Sequence, residues 1–332
     1  YDALNKLQDT NRLVKIAVLG DSFIDADILT ADLREMLKQD YGGWGVGYVD
    51  MTSNIYGFRQ TVRHSFGGWT SHAVTDSLYF ERSKQGISSR YFMAYPGSYS
   101  EYRGQSKYAS LLDTFDISSV YFMNKGNLNL SVRVNKETEI VKDFTASEAM
   151  QQMTVTGKIG SVRWKVNKVE SAIFYGVTLD GTTGIAVDNF SLRSSNGISL
   201  QSIPRHTLEE FNRLRPYDLI ILQYGLNIAT KHGKVYDNYQ KALLRSIDYI
   251  KKCFPQSGIL LLSVGDIDYR TSDGVMRTMP GVKNRIRYQE HIAAESKIEL
   301  WNMYEAMGGD GSIDKFVEAK PAMANLDYTH IN

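Results

Sequence analysis

The stretch Val14–Ser22, VKIAVLGDS, decides the fold. Its apolar run, Ile16 to Leu19, stops abruptly at Gly20-Asp21-Ser22. Such a run, bounded by a turn signal, predicts a strand buried on both faces. The next stretch, Thr30 to Gln39, has helical spacing, with Leu33, Met36 and Leu37 on one side. Ser22 therefore falls where a strand hands over to a helix. In open parallel sheets, ligands bind at the carboxyl ends of the strands. Gly20 lets the backbone turn tightly there, and the Ser22 hydroxyl is free to meet a substrate. Taken alone, the three residues also fit a polar turn with an N-cap serine.

The same strand-to-helix alternation returns after Gly184. Ile185–Phe190 reads as a short strand and leads to Arg193-Ser-Ser-Asn-Gly197. Thr207–Leu214 reads as a helix, with Thr207 and Glu210 at capping-box spacing. Leu219–Leu222 reads as a buried strand ending in Gln223-Tyr-Gly-Leu-Asn227. A helix is predicted from about Tyr236 to Cys253, with Tyr239, Leu243, Ile247 and Ile250 on one stripe and Pro255 as its stop. Gly258–Leu262 is the next buried strand, with Gly265-Asp-Ile-Asp268 at its end. A polar loop over Tyr269–Gly281, a helix over Val282–Ser296 and a strand over Ile298–Trp301 follow. This order predicts a mostly parallel sheet covered on both faces.

Between the halves the period changes to two. Leu128, Leu130, Val132 and Val134 alternate with polar residues, as do Val162, Trp164 and Val166. Ser119–Met123 and Ser171–Leu179 are further strand candidates. Repeated antiparallel strands with one wet face predict a β-sandwich. The expected organisation is thus a discontinuous α/β domain, 1–55 and 183–332, with an inserted antiparallel β-sandwich over 56–182. The 332 residues suit about two domains. The glycine-rich run Tyr41–Tyr48 follows a helix, not a strand, so it reads as a loop and not as a dinucleotide fingerprint.

Composition narrows the function. A net charge of +1 gives no basic field for nucleic acid. No apolar run approaches the ~18–20 residues of a membrane span, and no signal-peptide pattern is visible. Cys253 is the single cysteine, so no intramolecular disulfide forms. Twenty-one tyrosines against 13 phenylalanines suit a surface that touches sugars. His64 and His72 flank Gly67-Gly-Trp-Thr-Ser71, which reads as a turn at the domain boundary. The two are eight apart with no partner at ligand spacing, so no metal is expected.

The chemistry-bearing residues cluster at strand ends. Acyl transfer by serine needs a nucleophile, a base, a group to orient the base, and oxyanion donors. Ser22 is the candidate nucleophile and His330 the candidate base. Asp327, three residues earlier, can accept the imidazole proton. The Asn227 amide and the backbone N–H groups of Ser22 and Gly197 are candidate oxyanion donors. No cofactor is needed. Asp266 and Asp268 also end a strand, and read as solvated loop residues.

Gly20-Asp21-Ser22, a later glycine, Gly225-Leu226-Asn227 and Asp327-Tyr-Thr-His330 together resemble the four sequence blocks of the SGNH (GDSL) hydrolases. The resemblance implies a three-layer α/β/α fold and a serine esterase mechanism. It gives Ser22, Asp327 and His330 the roles of triad, and Ser22, Gly197 and Asn227 those of oxyanion hole. Gly68 is the alternative to Gly197. Asp27–Leu37, the following Tyr-Gly-Gly-Trp-Gly-Val-Gly-Tyr and the inserted β unit resemble the extracytoplasmic polysaccharide O-acetylesterases, including those acting on peptidoglycan. In that branch a carbohydrate-binding-module-like sandwich interrupts the hydrolase. The implied partner is an acetylated glycan. An acetyltransferase using the same serine, or a glycan-binding protein with an inactive hydrolase part, are the alternative readings. The chain ends at Asn332 without the helix that such hydrolases carry after Asp-x-x-His, so the His330 loop is expected to be weakly held.

Overall fold

The computed structural model describes residues 2–5, 7, 12–76, 78–228, 230 and 233–332. Strand β1 is Leu13–Gly20, followed by a 3-10 turn, Ser22–Asp27, and the Ile28–Tyr41 helix. The inserted strands are β2 (Gly47–Asp50), β3 (Val62–Ala73), β4 (Arg90–Gly104), β5 (Phe115–Asn124), β6 (Leu128–Val134), β7 (Ile140–Phe144), β8 (Gln151–Ile159), β9 (Ser161–Val169) and β10 (Ala172–Asp180). The α/β pattern resumes with β11 (Gly184–Ser191), β12 (Leu219–Gln223), β13 (Gly258–Leu262), the hairpin β14 (Asp268–Arg270) and β15 (Met276–Thr278), and β16 (Glu299–Trp301). Helices Arg205–Leu214, Asp237–Cys253 and Gly281–Ser296 separate these strands.

Five parallel strands in the order β11-β1-β12-β13-β16 form the first sheet. Side chains of β1 alternate between its faces. Ala17 and Leu19 join a core with Leu208, Phe211, Leu243 and Ile247, while Ile16 and Val18 join one with Leu29, Leu33 and Leu37. Helices therefore cover both faces, giving a three-layer α/β/α unit. Burying each large side chain of that strand contributes about 1.5–3 kcal/mol, which is why an unbroken apolar run is required there.

The inserted unit is one antiparallel sheet, β7-β6-β9-β4-β10-β5-β8, with β2 on β10 and β3 on β4. The long strand β4 bridges its halves: Tyr99–Arg103 pairs with β9, while Phe92 pairs with Phe174 of β10. Both halves face a common core, in which Val132, Val162 and Trp164 meet Val120, Phe122 and Phe174. Trp164 Nε1 donates to Ser118 Oγ across that core at 3.3 Å. The sheet thus closes on itself as a sandwich.

Several local details differ from the sequence reading. The inserted sheet begins with β2 at Gly47, ahead of the expected 56, directly after the irregular segment 42–46 that bears out the loop reading of the glycine run. Its glycines at 42, 43, 45 and 47 adopt positive φ. A Cβ at Gly43 or Gly45 would strike the backbone of Ile185 or Leu179, so only glycine lets this segment press against the β10–β11 junction. Met36 is 65% exposed. The helix instead turns Thr30, Arg34 and Lys38 inward beside Leu33 and Leu37, with Arg34 bonded to the Val187 carbonyl and Lys38 to that of Gly45. No capping box forms at Thr207. Pro204, its φ fixed near the helical value, starts the helix earlier, and Glu210 accepts instead from Met150 N–H at 2.7 Å. Gly67–Ser71 is not a boundary turn but the bulged middle of β3. The segment Tyr269–Gly281, read as a loop, contains the β14–β15 hairpin.

Candidate active site

Gly20 of β1 stands opposite Ser191 of β11 and Gln223 of β12, so all three strand ends deliver their following residues to one edge of the sheet. Asp21 N–H donates to the Gln223 carbonyl at 3.3 Å, fixing the exit from β1. The Asp21 carboxylate caps the next turn by accepting from Phe23 N–H at 3.0 Å. Asp21 is fully buried, and burial pushes its pKa up to about 6, against hydrogen bonds from Phe23 and Gln223 and the nearby His330.

Ser22, half-buried, opens the 3-10 turn. Two consecutive non-glycine residues after it, Ala26 and Asp27, are left-handed at φ 53° and 67°, a costly conformation for residues with a Cβ. Asp27 is the clamp that holds it. Its carboxylate accepts from Thr30 Oγ1 at 2.9 Å, Thr61 Oγ1 at 2.5 Å and Arg59 Nε at 2.9 Å, and pairs with Arg34 at 3.4 Å. Burial alone would raise the Asp27 pKa, but Arg34 and Arg59 hold it well below the usual carboxylate range. Because Arg59 and Thr61 lie just before β3, the inserted unit itself braces the Ser22 turn.

Ser22 Oγ lies 3.0 Å from His330 Nε2, and His330 Nδ1 lies 2.7 Å from Asp327 Oδ2. Asp327 Oδ1 also accepts from the backbone N–H groups of His330 and Thr329, each at 3.0 Å. Burial opposes ionisation of Asp327, yet these bonds hold its pKa below the ordinary value. An ionised Asp327 accepts the Nδ1 proton, which leaves Nε2 as an acceptor toward the serine hydroxyl. The loop carrying these residues is well tied, contrary to expectation. Asn325 N–H meets the His330 carbonyl, Asn332 N–H the Met323 carbonyl and Asp268 N–H the Tyr328 carbonyl, at 2.8, 2.9 and 3.1 Å. An Ala324–Ile331 bridge closes its base.

Asn227 and Gly197 meet at a residue that sequence reading missed, Ser195. Asn227 Nδ2 donates to the Ser195 carbonyl at 2.7 Å, and Gly197 N–H points to Ser195 Oγ at 3.4 Å. Gly197 has φ 81°, and a Cβ there would strike the Tyr224 ring. No motif marks Ser195; only its place two residues before the glycine does. Gly68, the alternative, sits in the bulge of β3, where its carbonyl accepts from Ser98 Oγ at 2.5 Å, and so belongs to the inserted sheet. Asp266 and Asp268 are buried rather than solvated. Asp266 accepts from Thr278 Oγ1 at 2.8 Å and Ile313 N–H at 3.1 Å. His64 is buried, stacked on Tyr102, and pushed down to about 3 by burial, so it is neutral. Among the described residues no group of His, Cys, Asp or Glu has the arrangement of a metal site, and no helix is long and apolar enough to cross a membrane.

The fold is a three-layer α/β/α unit with an inserted antiparallel β domain, and Ser22, Asn227 and the His330 loop are its candidate site. No protein-family model matches the sequence, and no curated protein sequence matches it. Among solved structures, a peptidoglycan O-acetylesterase superposes with TM-score 0.77 at 18% identity, over 99% of this chain and 90% of that one. That agreement extends across both the α/β unit and the insertion. A family two carbohydrate esterase from Cellvibrio japonicus gives TM-score 0.28 at 10% identity, over 72% and 89%. A GDSL-like lipase from Parabacteroides merdae gives 0.33 at 15%, over 45% and 66%. The first establishes a shared fold; the other two are too distant in shape to argue from.

Proposed function

We propose that this protein is a serine esterase that removes O-acetyl groups from a carbohydrate through an acetyl-serine intermediate. The observation that carries this reading is the hydrogen-bonded chain Ser22–His330–Asp327, assembled from residues 308 positions apart. His330 Nε2 takes the Ser22 proton as Oγ attacks the acetyl carbonyl carbon. The carbonyl oxygen becomes an oxyanion, for which the second Asn227 amide hydrogen and the Ser22 N–H are the donors; the Gly197 N–H, bonded to Ser195 Oγ, joins them by exchanging that bond. Collapse breaks the ester bond, and the imidazolium returns its proton to the departing sugar oxygen. Water, deprotonated by His330, then attacks the acetyl-serine carbonyl; the bond to Ser22 Oγ breaks, acetate leaves, and the imidazolium returns its proton to Oγ. The acetylesterase of like fold supports a glycan substrate, and peptidoglycan or another envelope polysaccharide would place the enzyme outside the cytoplasm.

Hydrolysis of 4-nitrophenyl acetate by wild type and by Ser22→Ala, with circular dichroism to confirm folding, tests the reading. Turnover is expected to vanish in the variant; undiminished turnover would refute it. Acetate release from a panel of acetylated polysaccharides then identifies the glycan.

A further inference from the structure

We infer that the cleft between the Ser22 turn and the inserted sheet seats the uncharged sugar units that adjoin the acetylated one. This inference rests on the esterase reading for the identity of the reacting sugar. The cleft encloses about 400 Å³, within the range of small-molecule sites. One side is built from Asp25, Ala26 and Asp27 of the Ser22 turn and from Ser191–Arg193 at the end of β11. Gly20 pairs with Ser191, so this wall begins at the strand end that carries Ser22. The other side comes from the inserted unit, from Asp50, Thr52–Tyr56, and Ser71, Ala73, Thr75 and Asp76. A glycan chain whose acetyl ester meets Ser22 would therefore run along both units.

Charge on the walls selects the ligand. The three arginines of the cleft are each spent on a carboxylate: Arg193 on Asp25 at 2.5 Å, Arg90 on Asp50 at 3.1 Å, Arg59 on Asp27 at 2.9 Å. Asp76 remains as a fourth carboxylate, its Oδ2 accepting from Ala73 N–H at 2.7 Å. His64 adds no charge. With Arg34 also paired to Asp27, four aspartates meet four arginines, so the cleft keeps no unpaired cation to hold an anionic ligand such as a uronate chain. What the walls offer instead is uncharged and exposed: Asn54, Ser71 and Thr75, which can donate and accept toward hydroxyls. Tyr56 is 54% exposed and packs its ring edge-on against Phe66 at 5.4 Å. It is a rigid, amphipathic platform of the kind that holds a sugar face at little entropic cost.

The test measures binding and turnover separately. Calorimetry on Ser22→Ala uses unacetylated xylotetraose, cellotetraose, chitotetraose and tetragalacturonate. At least one neutral tetrasaccharide is expected to bind with a Kd on the order of millimolar or tighter, and tetragalacturonate about tenfold more weakly or not at all. Adding Tyr56→Ala, which removes the platform, or Ser71→Trp, which fills the cleft, should weaken that neutral binding by about tenfold. In the Ser22 background the same two changes should leave kcat/KM for 4-nitrophenyl acetate within about twofold, since none of Ser22, His330 and Asp327 lines the cleft. Absence of neutral binding, equal binding of tetragalacturonate, or binding unaffected by both variants would overturn the inference. Cleft-dependent binding in a protein whose wild type has no esterase activity would sustain the cleft and refute the esterase reading instead.

Discussion

Asn227 has two amide hydrogens, and the Ser195 carbonyl takes one of them. That bond fixes the plane of the amide and leaves the second hydrogen unspent; in the proposed mechanism it meets the developing oxyanion, where preorganised donors are effective. Asn227→Ala should therefore lower kcat for 4-nitrophenyl acetate by roughly 10²–10³-fold with little change in KM; steady-state kinetics decide it, and an intact kcat would remove Asn227 from the site. Asp21 makes a different prediction, on stability. Its pKa is about 6 in the folded protein against an ordinary 3.8. Between those values the folded state holds more protons than the unfolded chain, so stability declines as pH rises from about 4 to about 6. The decline is on the order of 3 kcal/mol. Asp21→Asn keeps an oxygen to accept from Phe23 N–H and removes the titration. The variant should be more stable than wild type above pH ~6.5, and its denaturant midpoint nearly flat across the window where wild type falls. Equal pH slopes in the two proteins would assign the effect to another group.

At the level of elements, legibility follows how each segment is buried. β1, β12 and β13 are covered on both faces, so their burial shows directly as unbroken apolar runs. The Leu128–Val134 and Val162–Val166 strands are covered on one face, so theirs shows as alternation. The short blocks around Ser22 and Asn227 were legible because they end strands, whereas Asp327 and His330 follow the Ser312–Glu318 helix in a turn and were marked only by their three-residue spacing. What stayed hidden was burial achieved by polar groups. Nothing in periodicity predicts that Arg34 and Lys38 face inward, since their burial depends on carbonyls of Val187 and Gly45, distant in sequence. Arg215 is the clearest case. At the end of the Arg205–Leu214 helix it reaches Asp180 of β10 at 2.7 Å and Asp188 of β11 at 2.5 Å, all three buried. Asp188 also accepts from Tyr48 N–H at 2.8 Å and Tyr217 Oη at 2.7 Å. One guanidinium thus pins the last strand of the insertion, the strand that follows it and a helix. Arg215→Met would leave two buried aspartates without their hydrogen-bonded cation, at a cost of about 3–5 kcal/mol. Those carboxylates would then take up protons, so the loss measured by urea denaturation should be smaller near pH 5 than at pH 8. A loss independent of pH would mean that packing, not charge, is what Arg215 supplies.

For the whole molecule, the decisive surface is the one between the α/β unit and the insertion. Domains joined by polar contacts move and melt independently as a rule. Here the join is core. Phe211, fully buried on the Arg205–Leu214 helix, sets its ring 5.4 Å from Tyr175 of β10 and 6.1 Å from Tyr121 of β5, and packs in one cluster with Leu208 and Leu222. Glu210 and Arg213 of the same helix grip the Met150 backbone N–H and carbonyl, at 2.7 and 2.8 Å. Asp27 adds the link to Arg59 and Thr61 described above. With hydrophobic contact, a buried ion cluster and backbone bonds all crossing the join, the two units should unfold together. Far-UV circular dichroism follows the helices, which flank the parallel sheet. Fluorescence of a Trp301→Phe variant follows Trp69 and Trp164 of the insertion, with Trp44 against Gly181 at its edge. The two thermal transitions should coincide in that protein, and Phe211→Ala should lower both in step, by a stability loss of about 3–5 kcal/mol. Separate transitions in the parent protein would show that the insertion is an independent module, and the bracing of the Ser22 turn by Arg59 and Thr61 would then have to withstand the melting of one partner without the other.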